Sequence, residues 1–229
     1  MPCSGDFLTS AFINISFGEK NVIIESKNLM GYTFHPQRNK PSRKGGLIRI
    51  QSQFLLINII GGIAVLSGYA YALINHPDTR NDLWGGISES WQPWYVVSMI
   101  VAAVGYLTAM YYLIFKGGLE NKFFWGKVDS SVMTILLVLF LVSASMWIHS
   151  TFAYLESPSS GTWTLIQIEL RTTALTIILF TIGLGTIEKI SRSIIHKWAV
   201  MGISFTSFHC LALDAILWMM KFPKGEFEL

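Results

Sequence analysis

Residues 162–187 read TWTLIQIELRTTALTIILFTIGLGTI, an apolar run long enough to cross a bilayer that carries Gln167, Glu169 and Arg171 inside it. A helix needs about 20 predominantly apolar residues to cross the hydrocarbon core. A charged side chain there costs at least ~2.5–3.5 kcal/mol, so two of them within three residues need partners, water or a purpose. This stretch decides both the fold class and where a site is to be sought.

Composition agrees with a membrane protein. Of 229 residues, 52% are hydrophobic and only 14% charged, against roughly 25% charged in a soluble domain. Five runs have spanning length, at 51–75, 93–116, 131–154, 162–187 and 197–220. The expected fold is therefore all-α, a polytopic helix bundle with a five-helix transmembrane domain over 51–220. Residues 1–50 are expected to form a basic, largely irregular cytosolic segment, because so few apolar residues cannot build a large core. Residues 221–229 are left as a short outer tail. The apolar patch near Phe7 follows Asp6 rather than a basic segment, so a signal peptide is not expected.

Basic residues alternate between the loops. Lys20, Lys27, Arg38, Lys40, Arg43, Lys44 and Arg49 precede the first run; Lys116, Lys122 and Lys127 follow the second; Lys189, Arg192 and Lys197 follow the fourth. The opposite side holds only Arg80, Lys221 and Lys224. The positive-inside rule then places the N-terminus in the cytosol and the C-terminus across the membrane. Most tryptophans fall at expected boundaries, where an indole keeps its N–H hydrated. The first outer loop, HPDTRNDLWGGISESWQP at 76–93, is expected to rest on the membrane surface rather than to cover the bundle.

The first two runs read as scaffold. Ala64, Gly68 and Ala72, and Ser98, Ala102, Gly105 and Ala109, are small residues at helical spacing that let backbones approach closely. Asn58 reads as an interhelical hydrogen-bonding residue.

The last three runs carry the candidate site. With ~1.5 Å rise per residue, His149, Glu169, Arg171 and Asp214 fall at one level in the outer half, with Glu156 just above. Glu169 and Arg171 are two residues apart and point away from each other. Arg171 is therefore expected to pair with Asp214, forming an intramembrane ion pair, and Glu169 to face His149 or an entering polar group. Gln167, Trp147 and Trp218 complete the candidate ligand-binding set. His209 reads as a buried, hydrogen-bonded histidine on a different helix face from Asp214.

Several chemistries are set aside. His149 and His209 differ by ~9 Å in depth, which disfavours a bis-histidine haem, and no run holds a mid-membrane lysine for a retinal Schiff base. HExxH, Gly-rich phosphate loops and GxSxG are absent. The two cysteines, Cys3 and Cys210, form no metal motif. No cofactor, metal or nucleic acid is expected. The expected partners are the lipid bilayer, a lipid or small amphipathic ligand, and other membrane subunits. Three functions fit: a protein binding a small polar or amphipathic ligand in the outer half of the last three helices, an accessory subunit whose intramembrane charges pair with a partner, and a membrane enzyme acting on a lipophilic substrate by acid/base chemistry.

Overall fold

A computed structural model describes residues 13–17, 20–24, 43–187 and 193–223. The chain divides into two units, Met1–Pro41 and Ser42–Leu229. In the first, β1 (Ile13–Phe17) and β2 (Lys20–Ile24) pair antiparallel, with Ile13 opposite Ile24 and Phe17 opposite Lys20. These ten strand residues lie within the segment expected to be largely irregular. Ile13, Ile15 and Phe17 alternating with Asn14 and Ser16, and the β-branched residues Val22, Ile23 and Ile24, carry the signal for the strands. The rest of the N-terminal expectation lies outside the described residues, except that residues 43–50 are helical.

The second unit is helical. Five helices are long and apolar enough to cross a membrane: Arg49–Asn75, Gln92–Phe115, Ser130–Glu156, Ser160–Gly185 and Ile194–Lys221. We call them α1 to α5; α1 begins earlier, at Arg43. Local chemistry sets the ends. Pro93 occupies the first turn of α2, where its missing N–H costs nothing. Gly117, at φ +74°, provides the left-handed step after α2. The Ser159 Oγ accepts the Thr162 N–H at 3.1 Å and caps α4, and the Ser193 Oγ does the same for His196 in α5. The short link from Glu156 to Ser160 makes α3 and α4 antiparallel neighbours.

For helices apolar enough to cross a membrane, where lipid would leave the hydrophobic effect little to supply, close packing and interhelical hydrogen bonds are the contacts that matter. α1 lies along α3, α3 along α4, and α2 along α5. The α2–α5 contact is backbone against backbone, since a Cβ on Gly105 would strike the Gly202 carbonyl. Beside it the Thr206 hydroxyl donates to the Ala102 carbonyl at 2.8 Å. The expected small-residue face of α2, Ala102, Gly105 and Ala109, is thus its buried face toward α5. On α1, Gly68 and Ala72 are buried against α3, whereas Ala64 is exposed. The Tyr106 hydroxyl donates to Asn58 Oδ1 at 2.6 Å, so Asn58 links α1 to α2.

α5 is α-helical over Ile194–Phe208, π-helical over His209–Trp218, and ends in an α-helical turn, Met219–Lys221. A π-helix bonds i to i+5, so one turn takes an additional residue, and such turns concentrate at functional sites.

Candidate binding chamber

α1 and α2 each follow a different partner and touch one another little, which leaves space between them on one half of the bundle. There the five helices surround a chamber of about 450 Å³. Its walls are Tyr69 and Leu73 of α1, Tyr95, Val96, Met99 and Ile100 of α2, and Phe140, Ala144, Trp147 and Ile148 of α3. Leu170 and Thr173 of α4 and Cys210, Asp214 and Trp218 of α5 close the remaining sides. Leu73, Val96, Met99 and Ile100 are also exposed on the outside of the bundle, so the gap between α1 and α2 is apolar on both lips.

The 76–93 loop covers the chamber's end instead of lying apart from it. Its 3-10 turn, Arg80–Trp84, contributes Arg80, Leu83 and Trp84 to the lining. The Trp218 indole N–H donates to the Leu83 carbonyl at 2.7 Å, and the Gly86 N–H donates to the Lys221 carbonyl at 3.0 Å. Only glycine fits at position 86, because a Cβ there would meet that same carbonyl. Gly85, at φ +54°, makes the preceding turn.

Asp214 is the acidic side chain of the chamber, with 29% of its side chain exposed. The Tyr95 hydroxyl donates to its Oδ1 at 2.7 Å, and His209 Nε2 lies 3.6 Å from the same oxygen. His209 Nδ1 in turn meets the Ser98 hydroxyl at 2.8 Å. Tyr95 and Ser98, one turn apart on α2, thus hold His209 and Asp214 of α5. In an α-helix, residues five apart diverge by about 140°, which is why His209 was expected on another face. The π-helical turn brings them together.

The expected Arg171–Asp214 pair is absent. Arg171 is exposed, and no ion pair or hydrogen bond involves it among the described residues. It stands on the outside of α4 in a stripe with Ile168 and Leu175, while Ile166, Leu170, Thr173 and Ile177 face inward. Matching depth did not ensure matching direction around the helix axis. Glu169 is 4% exposed, wedged between α3 and α4. It accepts from the Ser150 hydroxyl at 2.8 Å through Oε1, whereas Oε2 is buried without a partner among the described residues. Its neighbour is thus Ser150, not His149. His149 is exposed beside α1, with Nε2 next to Gly68 and its ring 6.4 Å from Tyr71. Glu156 meets His76 Nδ1 at 3.2 Å, and Gln167 is half-buried. None of these five lines the chamber.

Three expected residues do line it: Asp214, Trp147 and Trp218. Trp147 packs 5.8 Å from Tyr69 and 5.4 Å from Trp218, between ring centroids, and its buried Nε1 has no partner among the described residues. On the other side Trp84 meets Tyr95 edge-on at 5.9 Å. Tyr69, Arg80, Trp84, Tyr95 and Ser98 lie outside the expected site because α1 and α2 read as scaffold and the loop as resting on the membrane surface. Tyr95 and Ser98, polar groups at i and i+3 near the end of an apolar helix, were the available sign. Among the described residues no group of three His, Cys, Asp or Glu side chains gathers as metal ligands would.

The fold and site together define a five-helix bundle of membrane-crossing dimensions with an internal aromatic chamber and a carboxyl group in its wall. Comparison with protein-family models, with curated proteins and with solved structures gives no match.

Proposed function

We propose that this protein binds a small amphipathic molecule in the chamber, in the outer half of the membrane, with the molecule's polar end at Asp214 and its apolar body against the aromatic walls. The observation that carries the reading is the chamber itself: about 450 Å³, within the range of small-molecule sites and, like them, mostly apolar with few convergent polar groups. The apolar lips of the α1–α2 gap suit entry from the surrounding lipid. All five helices and the loop contribute, so the site is broader than α3 to α5. The test is identification by mass spectrometry of small molecules that copurify with the full chain. Ala144→Phe, which fills the chamber from α3, is expected to lose a molecule that the unsubstituted protein retains. Identical extracts from two equally folded proteins would refute the reading.

A second reading, an accessory subunit of a membrane complex, is supported by Arg171. Trp163 marks the expected outer boundary, and Arg171 follows it by eight residues, ~12 Å deeper along α4. An outward-facing guanidinium at that depth is stabilised by an acidic side chain of a neighbouring helix. A photoreactive residue at position 168 is expected to crosslink a protein partner in native membranes, and Arg171→Leu to abolish the adduct. Crosslinking to lipid alone would refute this reading and leave the arginine snorkelling to the headgroups.

A further inference from the structure

We infer that the ligand is a lipophilic amine, its protonated nitrogen seated against the Asp214 carboxylate between the chamber's aromatic walls. This rests on the chamber reading and narrows it from any amphipathic molecule to one chemical class.

The polar groups of the lining are unevenly matched. Asp214 is its one acid and Arg80 its one base, and the two do not form an ion pair. Arg80 is exposed in the covering turn, where water solvates its charge. Asp214 therefore faces the chamber without a permanent cation. Its two neighbours, the Tyr95 hydroxyl and His209 Nε2, both address Oδ1, and Oδ2 has no partner among the described residues. A hydroxyl donor on one oxygen and an open second oxygen form a seat for a donor that also brings positive charge.

The walls point the same way. Tyr69, Trp147 and Trp218 form a continuous aromatic group, with centroids 5.8 and 5.4 Å apart, and Trp84 and Tyr95 form another. Ring faces attract an ammonium group within about 6 Å, most strongly when it is desolvated. A neutral alcohol of the same shape fills the same space and hydrogen-bonds to Asp214, but gains neither the ion pair nor the attraction to the rings. An anion would meet the carboxylate directly.

The experiment compares 1-pyrenemethylamine with 1-pyrenemethanol, using the full chain in phosphatidylcholine nanodiscs and reading saturable energy transfer from tryptophan to pyrene. Ala144→Phe and empty nanodiscs define the non-chamber background. The amine is expected to bind on the order of 30-fold more tightly than the alcohol. Asp214→Asn is expected to remove that ratio, lowering amine affinity far more than alcohol affinity. Equal binding of amine and alcohol to the unsubstituted protein would overturn the amine inference and leave the chamber reading standing. No saturable signal from either probe, or a signal unchanged by Ala144→Phe, would overturn both. The comparison of the two probes on the unsubstituted protein decides the matter even if Asp214→Asn fails to fold.

Discussion

Gly105→Ala tests the seam on which the chamber's polar cluster depends. A Cβ at position 105 would lie 2.7 Å from the Gly202 carbonyl carbon and 2.9 Å from its Cα, and nearer still to its oxygen. Carbon atoms prefer about 3.5–4.0 Å, so α2 and α5 must part by roughly 1 Å at this crossing. That displacement takes the Thr206–Ala102 hydrogen bond, now 2.8 Å, beyond useful range. Overpacking costs about 1–3 kcal/mol, and an interhelical bond adds about 0.6 kcal/mol. Replacing a helical glycine with alanine returns about 1 kcal/mol. The net expectation is a loss of about 1–3 kcal/mol, seen as a lower midpoint in thermal or denaturant unfolding in mild detergent. Gly62→Ala is the matched control, because nothing lies within 4 Å of a Cβ there, and it should be neutral or gain up to ~1 kcal/mol. If the two variants unfold at the same midpoint, the close α2–α5 register is wrong. The Ser98–His209 contact, two turns away on the same seam, would then lose its support.

Trp218→Phe keeps an aromatic wall but removes the N–H that holds Leu83. The loop should open more often, and a cysteine placed at Leu83 should react with a polar maleimide several-fold faster; an unchanged rate would show that the hydrogen bond does not hold the cover. Ser150→Ala strips from buried Glu169 its side-chain donor among the described residues and should destabilise the bundle by about 1–3 kcal/mol. Adding Glu169→Leu should recover most of that loss in the same unfolding assay, and no recovery would exclude a desolvation penalty as the cause. Tyr106→Phe removes the 2.6 Å bond to Asn58 and should cost about 0.6–1.7 kcal/mol. A cost no larger than that of an exposed Tyr111→Phe control would refute the bridge between α1 and α2.

The helical part of the fold was legible because membrane-spanning helices are written in length and hydropathy. Each of the five expected spans lies within three residues of a helical segment long and apolar enough to cross a membrane, although α1 itself starts earlier, at Arg43. Strands β1 and β2 are too short and too poor in apolar residues to announce a folded core, so they leave little trace in hydropathy. For the site, position along each helix can be counted from the sequence, whereas direction around the helix axis depends on which face docks. Asp214, Trp147 and Trp218 lie on inward faces and line the chamber. Arg171 and Asp214 share a level but face opposite surroundings, since the Ile166–Leu170–Thr173–Ile177 face, rather than the charged residue, docks α4. His209 was placed on the wrong face by assuming 3.6 residues per turn through a segment that does not keep that period.

That segment has a consequence in the language of insertions and deletions. A π-helical turn is what an α-helix becomes when one residue is inserted without shifting the contacts on either side. His209 and Asp214, five apart here, correspond to a pair four apart in an uninterrupted α-helix, which would already share a face. Deleting Ala212 should therefore preserve the histidine–aspartate contact while removing the wide turn, unlike a deletion in the regular part of α5, which would rotate everything beyond it by about 100°. Helical circular dichroism and probe binding, measured on both deletions, would separate them. If the Ala212 deletion keeps the fold and binding, the polar pair does not need the wide turn, and the additional residue serves only to shape the chamber wall.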